Sequence, residues 1–192
     1  PGYYCPNGTK SNQSYPCPPG YFRPGYGGDS LTSCTPCTGG YFCAGQGQDA
    51  VTGDCDAGYY CPRQCSDPRC ENKKCIAGIV PGETGFTGGL CPKGYYCPAR
   101  SSYPIPCAEG TYADVAGLDV CKNCPPGHHC GLAQIWPQEC GRGHYCPEKT
   151  KRSEVPKCPP GSFNNYPRGE NITSCYLCPE GQYCPYFAMN TN

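Results

Sequence analysis

The chain has 192 residues, no formal net charge, 22 cysteines, 27 glycines and 24 prolines. Leu, Ile, Val and Phe together number only twenty. That is too little aliphatic area to offset chain entropy in a two-layer domain, so a doubly wound enzyme or a helical bundle is excluded. Zero net charge argues against nucleic acid or an anionic membrane as the main partner. The longest apolar run, Ile76-Ala77-Gly78-Ile79-Val80, is far short of a membrane span. So many thiols require an oxidising compartment, which places the protein outside the cell or on its surface.

Along the chain one short phrase recurs: Cys-x-x-Gly followed by two residues that are often aromatic. Pro1-Gly2-Tyr3-Tyr4-Cys5 opens in the middle of the phrase, which is the expectation for a segment of a longer array. Complete copies start at Cys17, Cys37, Cys55, Cys91, Cys107, Cys124, Cys140, Cys158 and Cys178. The phrase nests in a longer unit: a Cys, a loop, a Cys-x-x-Cys, five residues and another Cys. That unit occurs as Cys17/Cys34/Cys37/Cys43, Cys107/Cys121/Cys124/Cys130 and Cys158/Cys175/Cys178/Cys184, with a degenerate copy in Cys75, Cys91 and Cys97. The expected organisation is a truncated tail over 1–16, a module over 17–64, an irregular module over 65–106, a module over 107–157 and a truncated start over 158–192.

Each phrase predicts local structure. Gly permits positive φ or close backbone approach, Pro after Cys limits the unfolded chain, and the paired aromatics favour a short β run whose rings cover a disulfide. The fold class is therefore small and disulfide-rich: an elongated tandem array of two-stranded β-ribbon and loop modules, three or four residues per strand, with almost no helix. Single helical turns are expected only near Leu132–Trp136 and Asp114–Leu118.

Chemistry-bearing residues are few. The pairs Cys34/Cys37, Cys121/Cys124 and Cys175/Cys178 can be read as zinc half-sites or redox dithiols, but they lie tens of residues apart and in no βαβ unit. His128, His129 and His144 occupy positions that Tyr or Phe fills in other copies, and read as aromatic substitutes. No nucleophile elbow, phosphate loop or zinc-protease motif is present, so neither an enzyme nor a cofactor is expected. The basic run Lys149–Arg152 reads as solvated loop. Three N-glycosylation sequons begin at Asn7, Asn12 and Asn171, all in loops between cysteines. The Pro-Pro pairs Pro18-Pro19, Pro125-Pro126 and Pro159-Pro160 are candidates for hydroxylation and O-linked sugar.

These phrases resemble the ephrin-receptor-like cysteine-rich module, whose pattern is a Cys-Pro-x-Gly-x-Tyr phrase, a Gly-rich loop and a Cys-x-x-Cys-Pro-x-Gly-x-Tyr-Cys close. The likeness covers nearly the whole chain and is weakest between Cys61 and Leu90. It is also similar to the tumour-necrosis-factor-receptor type of ladder. By that analogy the resemblance implies the pairs Cys17–Cys34, Cys37–Cys55, Cys43–Cys61, Cys107–Cys121, Cys124–Cys140, Cys130–Cys146 and Cys158–Cys175. It leaves Cys5, Cys65, Cys70, Cys75, Cys91, Cys97, Cys178 and Cys184 unassigned. Cys5, Cys178 and Cys184 are expected to stand unpaired, and Cys65 and Cys70 to serve the degenerate copy. The settings it implies are large secreted and surface proteins, flagellar-hair (mastigoneme) proteins among them. The function expected is structural: a glycosylated extracellular filament or wall protein that self-associates into a linear or helical polymer. The alternative is a stalk or ligand-binding ectodomain of a receptor or adhesion protein; an accessory region of a secreted enzyme is a third reading.

Overall fold

The computed structural model describes residues 1–70 and 88–190. Seven two-stranded ribbons carry the regular structure, with two residues in every strand rather than the three or four expected. The strands are short because a phrase offers only two residues between its Gly and the position six after its first Cys. Each phrase starts with a tight turn. Tyr41 N–H donates to Thr38 O at 3.1 Å, with Gly40 at φ +84° in the third position, which a type II turn reserves for glycine. After the turn, Tyr41–Phe42 pairs antiparallel with Gly53–Asp54. The same arrangement gives Tyr21–Phe22 against Thr35–Pro36, Thr111–Tyr112 against Lys122–Asn123, and Ser162–Phe163 against Tyr176–Leu177.

Helix is confined, among the described residues, to three 3₁₀ turns at Leu31–Ser33, Arg152–Glu154 and Ile172–Ser174. The turns expected near Asp114–Leu118 and Leu132–Trp136 do not form. For Asp114–Leu118 the reason is visible in loop length. Cys17–Cys34 and Cys158–Cys175 each span 17 residues and end in a 3₁₀ turn, whereas Cys107–Cys121 spans 14 and has none. The three extra residues are one 3₁₀ turn.

Nine disulfides are described, and they correct the receptor-like pairing at four positions. Cys37 bonds Cys43, not Cys55, and Cys55 bonds Cys61, leaving no Cys43–Cys61 bridge. Likewise Cys124 bonds Cys130 and Cys140 bonds Cys146, in place of Cys124–Cys140 and Cys130–Cys146. Cys91–Cys97 and Cys178–Cys184 close in the same way, so Cys178 and Cys184 do not stand unpaired. The turn explains this: it folds the phrase back so that residues six apart have Cα atoms 5.9–6.0 Å apart, inside the span of a disulfide. Only where the sixth position is not Cys does the first Cys reach across the long loop, to give Cys17–Cys34, Cys107–Cys121 and Cys158–Cys175. Arg23, Ala113 and Asn164 hold that position. Each of these bridges closes before the next one opens. Cys5 is free and exposed. Cys65 and Cys70 are buried with their Sγ atoms 2.9 Å apart, and Cys75 lies outside the described residues.

Packing divides the chain into two compact units. The first comprises Pro1–Pro92 with Tyr96–Ile105 and Ala116–Val120; the second comprises Lys93–Tyr95, Pro106–Val115 and Cys121–Asn192. Within the first, Cys55, Cys61, Cys65 and Cys70 form a sulfur core covered by Phe42 and Tyr59. Prolines aside, Tyr60 and Ala113 are the sole buried apolar residues among the described ones that are not Cys. Bridges replace a conventional core: closing a loop of six residues is worth about 2 kcal/mol and one of 17 about 3 kcal/mol in the chain-entropy model.

Candidate functional surface

Successive phrases are joined by a repeated set of four backbone hydrogen bonds, here called a rung. Between the phrases of Cys37 and Cys55, Gly40 N–H donates to Cys61 O (2.8 Å) and Cys55 N–H to Gly40 O (2.9 Å). Cys43 N–H donates to Cys65 O (2.9 Å) and Gln64 N–H to Cys37 O (2.9 Å). The first unit holds three complete rungs, ending with the one between Cys55 and Cys91. The second holds four, joining the phrases of Cys107, Cys124, Cys140, Cys158 and Cys178 in turn. The last donor in each rung is a residue in left-handed conformation, such as Gln64 (φ +65°), Arg100 (+67°), Lys149 (+64°) or Arg168 (+62°). Its carbonyl fits against the α-carbon of a phrase glycine. A Cβ on Gly40 would lie 2.3 Å from Arg100 O, and one on Gly143 2.1 Å from Ala188 O.

With the backbone so consumed, side-chain chemistry is displaced to the outer faces of the ribbons. On one, Asp54 sits opposite Tyr41; Arg100 bonds Asp54 at 2.8 Å and lies 5.6 Å from the Tyr41 ring centre. On another, Arg69 bonds Asp56 at 3.0 Å and covers Tyr59 at 5.5 Å. In the second unit Lys122 bonds Asp114 at 2.7 Å and covers Tyr112 at 6.0 Å. The Lys122 ammonium holds the Asp114 carboxyl below the usual carboxylate range, and Asp54 holds Arg100 charged. These solvated sets of acid, cation and ring brace the ribbons, each worth well under the energy of a buried pair. Local sequence does not mark these sets, because each cation lies well away from its acid: Lys122 is 8 residues from Asp114 and Arg69 is 13 from Asp56.

The cysteine pairs Cys34/Cys37, Cys121/Cys124 and Cys175/Cys178 each divide between two separate bridges, so none is a dithiol or a zinc half-site. No group of three His, Cys, Asp or Glu suited to a metal occurs among the described residues. His128 and His144 place Nδ1 3.1 and 2.9 Å from the carbonyls of Pro126 and Arg142, each two residues back. His129 is half-buried, and burial first, then Arg152, pushes its pKa below the ordinary histidine value. In the basic run, Lys151 pairs with Glu154 at 3.2 Å. Thr150 is buried, its hydroxyl donating to Pro147 O at 2.6 Å.

The sequon asparagines Asn7, Asn12 and Asn171 are all exposed. Asn171 caps the third 3₁₀ turn, its Oδ1 accepting from the Thr173 backbone N–H (2.9 Å) and hydroxyl (2.5 Å). Pro19, Pro126 and Pro160 are exposed in the second position of their turns. Compared with known proteins, no family model matches the chain and no curated protein aligns with it.

Proposed function

We propose that the protein is a structural, glycosylated component of an extracellular filament or surface fibre, without catalytic activity or a bound cofactor, built from modules of the ephrin-receptor-like kind. The observation that carries this reading is the rung: one backbone pattern repeated through each unit, with side-chain variation left to the outside, suits a scaffold better than a site. Nine disulfides support an oxidising, secretory environment. No helix among the described residues is long and apolar enough to cross a membrane. The exposed sequons suit N-linked sugar at Asn7, Asn12 and Asn171, and exposed rings such as Tyr26, Tyr166, Tyr183 and Tyr186 suit contacts between copies.

The test is to isolate the protein from its source and examine it by electron microscopy before and after enzymatic removal of N-glycans. Fibres, together with a mass decrease on deglycosylation that maps to the three asparagines, are expected. A monomer at high concentration with no fibres would move the assignment to a receptor or adhesion ectodomain.

A further inference from the structure

The residues Lys149-Thr150-Lys151-Arg152 carry three cations, and no other window of four residues in the chain carries as many. Lys149, Lys151 and Arg152 are exposed, and so is Ser153 after them. Among the described residues, Lys151 alone of the three has an acidic partner, Glu154 at 3.2 Å. Basic side chains at the first, second and fourth places before a small residue suit the acidic pockets of an endoprotease that cuts after paired basic residues.

The run also falls between bridges. The four cysteines that follow it bond among themselves, as Cys158–Cys175 and Cys178–Cys184, and Cys140–Cys146 has closed before it. No disulfide therefore spans a cut after Arg152, and such a cut severs the chain. A cut inside Cys158–Cys175 would leave both sides joined.

The backbone of the run is closed to a protease. Such enzymes take their substrate as an extended strand paired edge to edge with their own. Here Lys149 N–H donates to Cys124 O at 2.9 Å, Cys130 N–H to Thr150 O at 3.0 Å and Arg152 N–H to Cys130 O at 3.1 Å. Thr150 is buried, and Arg152–Glu154 is a 3₁₀ turn. The first two bonds belong to the rung between the phrases of Cys124 and Cys140, so that rung must open before the run can extend.

We infer that Arg152–Ser153 is a conditional cleavage site for a secretory endoprotease specific for paired basic residues, guarded by the rung between Cys124 and Cys140. Hydrolysis breaks the amide between Arg152 C and Ser153 N. The oxygen of water ends in the Arg152 carboxylate and both its protons on the Ser153 ammonium. A folded chain resists the cut; a chain not yet folded, or one whose rung is pulled apart, is severed. Cleavage then follows the population of the open rung. The inference rests on the extracellular part of the reading above, and because its assay uses purified protein, its failure leaves that reading untouched.

The experiment treats the oxidised 192-residue chain with a calcium-dependent, subtilisin-type endoprotease specific for paired basic residues, and reads the products by mass without reduction. A synthetic peptide of residues 147–157, which contains no cysteine, gives the unguarded rate. Arg152→Gln removes the residue before the cut. Gly110→Ala loosens the guard, because at φ +83° its Cβ would lie 2.5 Å from Lys149 O. Gly58→Ala carries the same strain in the first unit, where its Cβ strikes Gly117 O. Disulfide mapping checks that each variant is folded. The peptide is expected to be cut at least about tenfold faster than the parent chain at the same bond, with roughly tenfold recovered in Gly110→Ala and no change in Gly58→Ala. The 153–192 fragment appears as a separate mass without reductant, and Arg152→Gln does not yield it. An uncut peptide, a parent cut as fast as the peptide, or a fragment that stays joined until reduced would overturn the inference. So would a Gly110→Ala chain cut no faster than the parent, or equal acceleration by both glycine variants. The peptide, parent and Arg152→Gln arms decide the site and its guard even where a glycine variant mispairs its cysteines.

Discussion

Asn164 stands where other phrases have a half-cystine, is 1% exposed, and is the largest fully buried side chain described. Its Nδ2 donates to His144 O at 2.9 Å and its Oδ1 accepts from Tyr166 N–H at 3.0 Å. Asn164→Ala removes both bonds without a steric consequence, since Ala113 fills the same position in an earlier phrase at 0% exposure. A buried hydrogen-bond partner left unsatisfied costs about 1–3 kcal/mol. Tyr166 is exposed and its N–H regains water, so the larger share falls on His144 O. A loss of about 2 kcal/mol is expected, or roughly thirtyfold faster amide exchange at the neighbouring rung donors. Native-state hydrogen exchange at Cys146 N–H, which donates to Gly169 O at 2.7 Å, reads this locally without assuming two-state unfolding. A change below about 0.5 kcal/mol would show that Asn164 is only a space filler and refute the reasoning, since a typical intramolecular hydrogen bond contributes about that much or more.

Proteolysis of the oxidised protein followed by mass mapping should recover Cys37–Cys43, Cys55–Cys61, Cys124–Cys130 and Cys140–Cys146 as loops within single phrases; peptides joined through Cys37–Cys55 would contradict the turn argument. Gly40→Ala should destabilise the first unit by about 2 kcal/mol or more, because left-handed backbone alone costs about 1–2 kcal/mol and its Cβ would strike Arg100 O. Faster exchange of Cys55 N–H is the readout, and exchange no faster than in the parent would refute it. For His129, the lowered folded pKa means that the unfolded chain binds the proton more readily. Stability of the second unit is therefore full above the unfolded value near 6.5 and falls as pH drops below it toward the folded value. Denaturant midpoints measured from pH 8 to 5 should show that decline and lose part of it in His129→Phe; an unchanged slope in the variant would remove His129 as its cause.

The repeat, the scarcity of helix and the ribbon modules were legible because Cys, Gly and aromatic side chains mark them directly. The rungs were not, since backbone amides leave no trace in a sequence beyond the glycine that makes room for them. The pairing error has a readable cause. Cysteine spacing alone does not say which thiols meet, but Arg23, Ala113 and Asn164 do, by withholding the cysteine that would let a phrase close on itself. The 3₁₀ turns had a signal too. Ser30-Leu31-Thr32-Ser33-Cys34 and Asn171-Ile172-Thr173-Ser174-Cys175 share a small polar residue, an apolar residue and Thr-Ser before the closing cysteine, although only Asn171 makes a side-chain cap. The braces of acid, cation and ring were hidden because Arg100 and Asp54 are brought together only by a left-handed turn many residues away.

Because the nine described bridges close one after another without interlocking, a pulling force meets two kinds of resistance along the backbone. Rungs, held only by hydrogen bonds, yield first. The six residue steps inside a bridge such as Cys37–Cys43 stay locked away from extension, while the twelve steps from Cys43 to Cys55 can be drawn out by up to about 3.5 Å each. A module opened under load would thus span at most roughly 40 Å between its bridges and stop at a covalent knot, ready to refold when the force is released. Loss of a single disulfide would lengthen one such step and leave its neighbours untouched, a form of damage tolerance that an interlocked ladder lacks.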